Sequence, residues 1–179
     1  LWIVADSDAT RANLVREAEA RGVDGSRLLF AQRVAPADYL ARFRVADLFL
    51  DTNPFNGGTT ASDALWAGLP VLTCAGRTFC SRMAGSLLNA VGLPELVTHD
   101  LRDYEALAVA LAHDRTRLAG LRARLAAERD TSALFDTPRF VRDFEDKLET
   151  VVKRPAGVMP TDDAHAHHAH GVPEPAPGA

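Results

Sequence analysis

Apolar positions along this chain follow two rhythms, and the change between them falls near Leu101. Before it, short apolar runs bearing β-branched residues predict strands: LWIVA at 1–5, RLLFAQ at 27–32, DLFLDT at 47–52, VLTCA from Val71, and ELVTH ending at His99. Amphipathic stretches lie between them. DSDATRAN carries cap chemistry for a helix that runs through Arg21 and closes on Gly22, and Pro36 opens a short helix over 36–45. Two more helices are expected, from about Thr60 to Gly68 and from about Thr78 to Val91. Strands alternating with helices predict an α/β fold, a Rossmann-like parallel sheet with helices on both faces. After Leu101 the pattern is helical only: Leu107 with Leu111, Leu118 with Leu121 and Leu125, and Phe140 with Phe144 and Leu148 recur at three- and four-residue spacing. These carboxyl-terminal helices are expected to cover the sheet.

Composition refines the picture at the far end. Beyond Lys153 the sequence becomes RPAGVMPTDDAHAHHAHGVPEPAPGA, too poor in large apolar residues to offset the entropy of ordering, so we expect a lobe over 1–152 and a disordered tail over 153–179. With 47% hydrophobic residues the rest has material for one core. A formal net charge of −4 argues against a non-specific nucleic-acid binder, which needs a basic face. No apolar run reaches the length of a membrane span. Cys74 and Cys80 form neither a CxxC pair nor a zinc-type spacing, so reduced thiols and a cytoplasmic setting are expected, without a structural metal. Leu1 opens directly in a strand pattern, which reads as a piece of a longer protein.

The chemistry concentrates in DTNPFNGGTTASDALWAGLPVLT, from Asp51 to Thr73. In an open α/β sheet ligands bind outside the carboxyl ends of the strands, where this loop lies. Gly57 and Gly58 remove side chains where the backbone must bend and a ligand must come close. Thr59 and Thr60 then offer hydroxyls and backbone N–H groups at a helix start, where unpaired donors and the helix dipole favour an anion. No lysine follows the glycines and no GxGxxG is present, so neither a P-loop nor a dinucleotide fingerprint is supported, while a nucleoside diphosphate fits. A plainer reading stands beside it: Thr60 and Asp63 have the spacing of a capping box, which would explain them as a helix start. Spacing alone leaves the two open.

The run VAPADYLARFRVADLFLDTNPFNGGTTASDALWAGLPVLT, with GRTFCSRMAGSLL after it, resembles the carboxyl-terminal catalytic lobe of the O-GlcNAc transferase and SPINDLY family of protein glycosyltransferases, over roughly residues 1–150. The resemblance implies one lobe of a GT-B fold and inverting, metal-independent transfer of GlcNAc from UDP-GlcNAc to Ser or Thr hydroxyls. It also implies an upstream lobe and tetratricopeptide repeats that present the acceptor protein, both outside this chain, so that the chain alone is expected to be inactive. Carried over, Ala35 and Pro36 match the loop that contacts the base, and Arg42 matches an arginine near the nucleotide. Thr59 and Thr60 match the pair on the diphosphate, and Asp63 the carboxylate that accepts from ribose hydroxyls. Two positions depart from the family pattern: Gly58 stands where many members have histidine, and Tyr39 stands where a histidine is common in the short helix. Other readings are a different GT-B enzyme, namely a GDP-fucose protein transferase, a small-molecule glycosyltransferase or a nucleotide-sugar epimerase, and a non-catalytic interaction module.

The remaining residues with chemical potential have plainer expectations. Arg77 and Arg82 flank a helix start near the same sheet edge and are read as solvated before ligand-binding. Trp66 is expected to pack in the core against the sheet, and the two cysteines to be inert. His165, His167, His168 and His170 belong to the polar tail. Apolar surface toward an absent lobe leaves self-association open.

Overall fold

The computed structural model describes residues 1–153, so the tail expected from residue 153 lies outside the described residues except for Lys153 itself. The described residues divide into two units, Leu1–Thr137 and a second that begins at Pro138. In the first, strands and helices alternate: β1 (Trp2–Val4), α1 (Asp8–Glu19), β2 (Leu29–Ala31), α2 (Pro36–Arg42), β3 (Phe49–Leu50), α3 (Thr59–Trp66), β4 (Val71–Cys74), α4 (Met83–Ala90), β5 (Val97–Thr98), α5 (Leu101–His113) and α6 (Arg115–Glu128). All three kinds of sequence signal are at work. Ser7 caps α1 by accepting from the Thr10 amide at 3.1 Å, and Asp100 and Asp114 cap α5 and α6 in the same way at 2.8 Å. Pro36 occupies the first turn of α2, where its missing N–H costs nothing. Gly68 and Gly92, at φ 85° and 73°, take the left-handed conformation just past α3 and α4 that a side chain would resist.

Every strand pair is parallel, as the sequence predicted, and the strands form two groups: β1 with β2, and β3–β4–β5 in that order. β4 is buried at all four residues, which is why VLTC reads as a continuous apolar run instead of alternating. Around it Leu65, Leu69, Val71, Leu88, Leu96, Leu111, Leu121 and Leu125 close one core, so α3, α4, α5 and α6 all turn a face inward. Each fully buried leucine contributes about 1.5–3 kcal/mol relative to exposure. The strands are shorter than their apolar runs because only the paired residues keep ladder geometry, with Phe49 opposite Val71 and Thr73 opposite Val97.

The second unit is described from Pro138 to Lys153 and is helical, the body of α7 (Thr137–Val152). Phe140 and Phe144 stack one turn apart, their centroids 6.0 Å apart and nearly parallel, and Leu148 continues the apolar stripe the spacing predicted, with Val151 beyond it. Lys153 closes the helix by pairing with Glu149 at 2.6 Å.

Candidate functional site

The loop between β3 and α3 is organised by a residue that composition did not single out. Asp51 follows the last residue of β3 and is only 5% exposed. Its Oδ1 accepts from the amides of Gly57 at 2.6 Å and Thr52 at 2.9 Å, and its Oδ2 accepts from the Thr73 hydroxyl at 2.6 Å. One carboxylate thus ties the glycine loop to the neighbouring strand β4. Burial pushes the Asp51 carboxyl above the ordinary aspartate range, against the pull of its bonds to Thr73, Gly57 and Thr52. The backbone at Asp51 is held from another side by the Tyr104 hydroxyl, which donates to its carbonyl at 2.9 Å. Asn56, fully buried, donates to the Thr52 carbonyl at 2.9 Å, while its amide N–H bonds the Cys80 carbonyl at 3.1 Å.

Close packing favours glycine at 57. A Cβ there would lie 3.2 Å from Asp51 Oδ1 and 3.4 Å from the Ala61 backbone nitrogen. At 58 the only close neighbour of such a Cβ would be the Met83 methyl, at 3.3 Å. Gly58 is the residue from which α3 springs, and no side chain caps the helix there. This corrects the capping-box reading. Thr60 is the second residue of α3, two positions past the N-cap at Gly58, and Asp63 lies beyond the first turn. The early amides of α3 therefore have neither an intrahelical acceptor nor a side-chain cap. Thr59 and Thr60 are both exposed.

Helix α2 brings a second set of predicted residues toward this corner. Tyr39 is half-buried, and burial raises its phenol pKa, with the Asp63 carboxylate pushing in the same direction and a hydrogen bond with Thr60 opposing. Tyr39 thereby links α2 to the start of α3. Arg42, one turn further along α2, donates to the Gln32 carbonyl at the end of β2, and its guanidinium lies 5.9 Å from the Trp2 ring centroid. A cavity of about 810 Å³ is lined by Tyr39, Arg42 and Thr60 together with β1 and β3. Ala35 and Pro36 are exposed at the start of α2; neither they nor Gly57, Gly58, Thr59 and Asp63 belong to that lining. Of the predicted residues, Tyr39, Arg42 and Thr60 share the cavity wall, and the bond between Tyr39 and Thr60 joins α2 to the helix start at Gly58–Thr60.

The other expectations sort as follows. Arg77 and Arg82 are exposed. Trp66 is not a core residue: it is 47% exposed, meets Phe135 edge-on at 5.1 Å and carries the Arg129 guanidinium 5.0 Å from its centroid. Its position at the end of α3, where the helix leaves the sheet, accounts for the difference. Cys74 is buried and both cysteines are free. Among the described residues no helix is long and apolar enough to cross a membrane. The four tail histidines lie outside the described residues.

A parallel α/β sheet with a glycine-threonine helix start beyond a strand end is the layout of Rossmann-like lobes. Residues 1–144 match the family model described as glycosyl transferase family 41, and the chain belongs to that family. It is 36% identical over 162 residues to a UDP-N-acetylglucosamine–peptide N-acetylglucosaminyltransferase of Caenorhabditis elegans, a match covering 90% of this chain and 14% of the relative. An Arabidopsis thaliana relative named as the probable enzyme SEC is 36% identical over 146 residues, covering 81% of this chain and 15% of the relative. A solved structure of a mutant Thermobaculum terrenum O-GlcNAc transferase superposes with a TM-score of 0.79 at 35% identity, covering 84% of this chain and 29% of that one. The chain thus spans about one seventh of the length of these curated relatives.

Proposed function

We propose that this chain is the donor-binding part of a protein O-GlcNAc transferase, which holds UDP-GlcNAc while GlcNAc passes with inversion to a Ser or Thr hydroxyl. The observation that carries the proposal is the uncapped, open start of α3, where Thr59 and Thr60 are exposed behind a glycine loop pinned by Asp51. In this reading the acceptor oxygen attacks the anomeric carbon, the bond from that carbon to the diphosphate oxygen breaks, and the hydroxyl proton leaves to a base outside this chain. Negative charge then grows on the departing UDP, and fixed amide and hydroxyl donors at Gly58–Thr60 are placed to meet it. Asp63 would accept from the ribose hydroxyls, Ala35 and Pro36 would face the base, and Arg42 would add positive charge to the cavity wall. Tyr39 would contribute a neutral phenol where a histidine could have carried charge.

Transfer is proposed to need no metal, since the helix start supplies the counter-charge; nucleotide binding should then survive EDTA. The names of the relatives support UDP-GlcNAc as donor and peptides as acceptors. Acceptor presentation is assigned to repeats outside this chain, and the chain alone is proposed to be inactive. Free cysteines agree with a cytoplasmic setting. The test is a thermal-shift panel of UDP, UDP-GlcNAc, GDP and GDP-fucose against this chain and against the longer protein that carries it. Stabilisation by the uridine nucleotides supports the assignment; preference for guanosine nucleotides redirects it to fucose transfer, and a flat response in the longer protein removes it.

A further inference from the structure

Among the described residues Asp51 is the sole charged side chain that is buried. Stability does not account for it: a carboxylate out of water gives up solvation that its partners repay only in part, and a well-packed apolar residue would serve the core as well. What the carboxylate does is join two places. Its Oδ1 faces the glycine loop and takes the amides of Thr52 and Gly57, while its Oδ2 faces β4 and takes the Thr73 hydroxyl.

Thr73 is as unexpected as its partner. It is wholly buried within VLTC, where valine has the same shape, suits a strand and needs no hydrogen-bond partner. The sheet holds it stiffly, since Thr73 pairs with Val97 on β5 and its carbonyl accepts from the Thr98 hydroxyl at 3.0 Å. From the side of α5 the Tyr104 hydroxyl holds the Asp51 backbone. Rotation of the carboxylate about χ2, a soft torsion in aspartate, is the freedom left to Asp51, and the 2.6 Å bond from Thr73 restrains it. Fixing that plane fixes the Gly57 amide on Oδ1. Gly57 in turn packs against the first turn of α3, where a Cβ on it would stand 3.4 Å from the Ala61 nitrogen.

We propose that Thr73 is a positioning residue for the anion seat: through Asp51 it fixes the glycine loop and so aims the first amides of α3 at the diphosphate. The inference rests on the donor-binding reading of α3 given above. Preorganised donors stabilise developing charge only when their supports are themselves locked, and the bond from Thr73 ties the loop to the strand that is buried at every residue.

Thr73→Val, which keeps the shape and removes the hydroxyl, is compared with Thr73→Ser and the wild type. In the 179-residue chain, hydrogen exchange at the Gly57 amide should quicken about tenfold or more in Thr73→Val, while the amide of Leu88, in the core on α4, stays protected. Thr73→Ser restores the hydroxyl and should return Gly57 toward the wild-type rate. Unchanged Gly57 exchange in Thr73→Val overturns the proposal, and so does a serine variant that behaves like valine. Asp51→Asn combined with Thr73→Val leaves no buried charge unpaired and is the second variant, should the single one not fold; it should quicken Gly57 in the same way, and an unchanged rate there counts equally against the proposal. In the longer protein that carries this chain, Kd for UDP should weaken about tenfold in Thr73→Val while that for uridine, which has no phosphate, changes by less than about twofold. Equal losses for both mark a general loosening and overturn the positioning role. A wild type that takes up no UDP refutes the donor-binding reading instead, and exchange at Gly57 tells the two failures apart.

Discussion

The Asp51 carboxylate accepts a hydrogen bond from the Gly57 amide at 2.6 Å, so the residue that ends a strand also fixes the loop that starts the next helix. With its bonds to Thr52 and Thr73 this makes Asp51 the clamp of the candidate site. Asp51→Ala should lose about 1–3 kcal/mol of stability, since it leaves buried donors unmet, and urea unfolding measures it. Asp51→Asn keeps two acceptor bonds and should lose less. The pH response follows from the direction of the Asp51 shift. An aspartate whose folded pKa is raised binds a proton more readily folded than unfolded, so its contribution to stability falls as pH rises from the ordinary value of 3.8 through the folded value. Relative to Asp51→Asn, the wild type should therefore be more stable near pH 4 than at pH 7; the opposite trend would contradict the burial of this carboxylate.

The chain has two tyrosines, and both are held neutral by their surroundings. Burial, then the charges of Asp51 and Cys74, push Tyr104 up to about 12, while burial and Asp63 raise Tyr39 above its ordinary 10.0. Ultraviolet titration of the folded protein should show no normal phenolate step at pH 10, and the step should return in concentrated urea. Because both pKa values are raised in the fold, the stability they carry is present below pH 10 and is lost as pH climbs through the folded values.

Gly58→His should be tolerated and should strengthen nucleotide binding. The new Cβ meets only the Met83 methyl, the flexible end of a side chain, at 3.3 Å. A histidine donor to a diphosphate is worth about 1.5 kcal/mol or more, roughly tenfold in Kd, read by titration with UDP. Gly57→Ala should do the reverse, because its Cβ crowds Asp51 and the Ala61 backbone.

Most of the fold was legible because the two hydrophobic periods are local signals. VLTC announced a doubly covered strand, and Leu118, Leu121 and Leu125 announced the buried face of α6. The break between β1 and β3 was not legible, since it depends on long-range pairing that no window of sequence contains. Trp66 misled for a related reason: size and hydrophobicity suggest burial, while its place at the end of α3 decides exposure. In the site, the glycines and threonines could be read from spacing. Asp51 could not, although a carboxylate directly after LFL is the signal that would have found it. Its role comes from Thr73, distant in sequence and adjacent in the sheet. Tyr104 is further still, reaching back from α5.

The central claim is that hydroxyls and amides at the start of α3 seat a nucleoside diphosphate. Calorimetric titration of UDP into the longer protein that carries this chain, wild type beside the double variant Thr59→Val and Thr60→Val, tests it most directly. Valine keeps the shape and the helix amides and removes only the hydroxyls, so Kd should weaken about tenfold or more with folding intact. An unchanged Kd in the folded double variant would contradict the account.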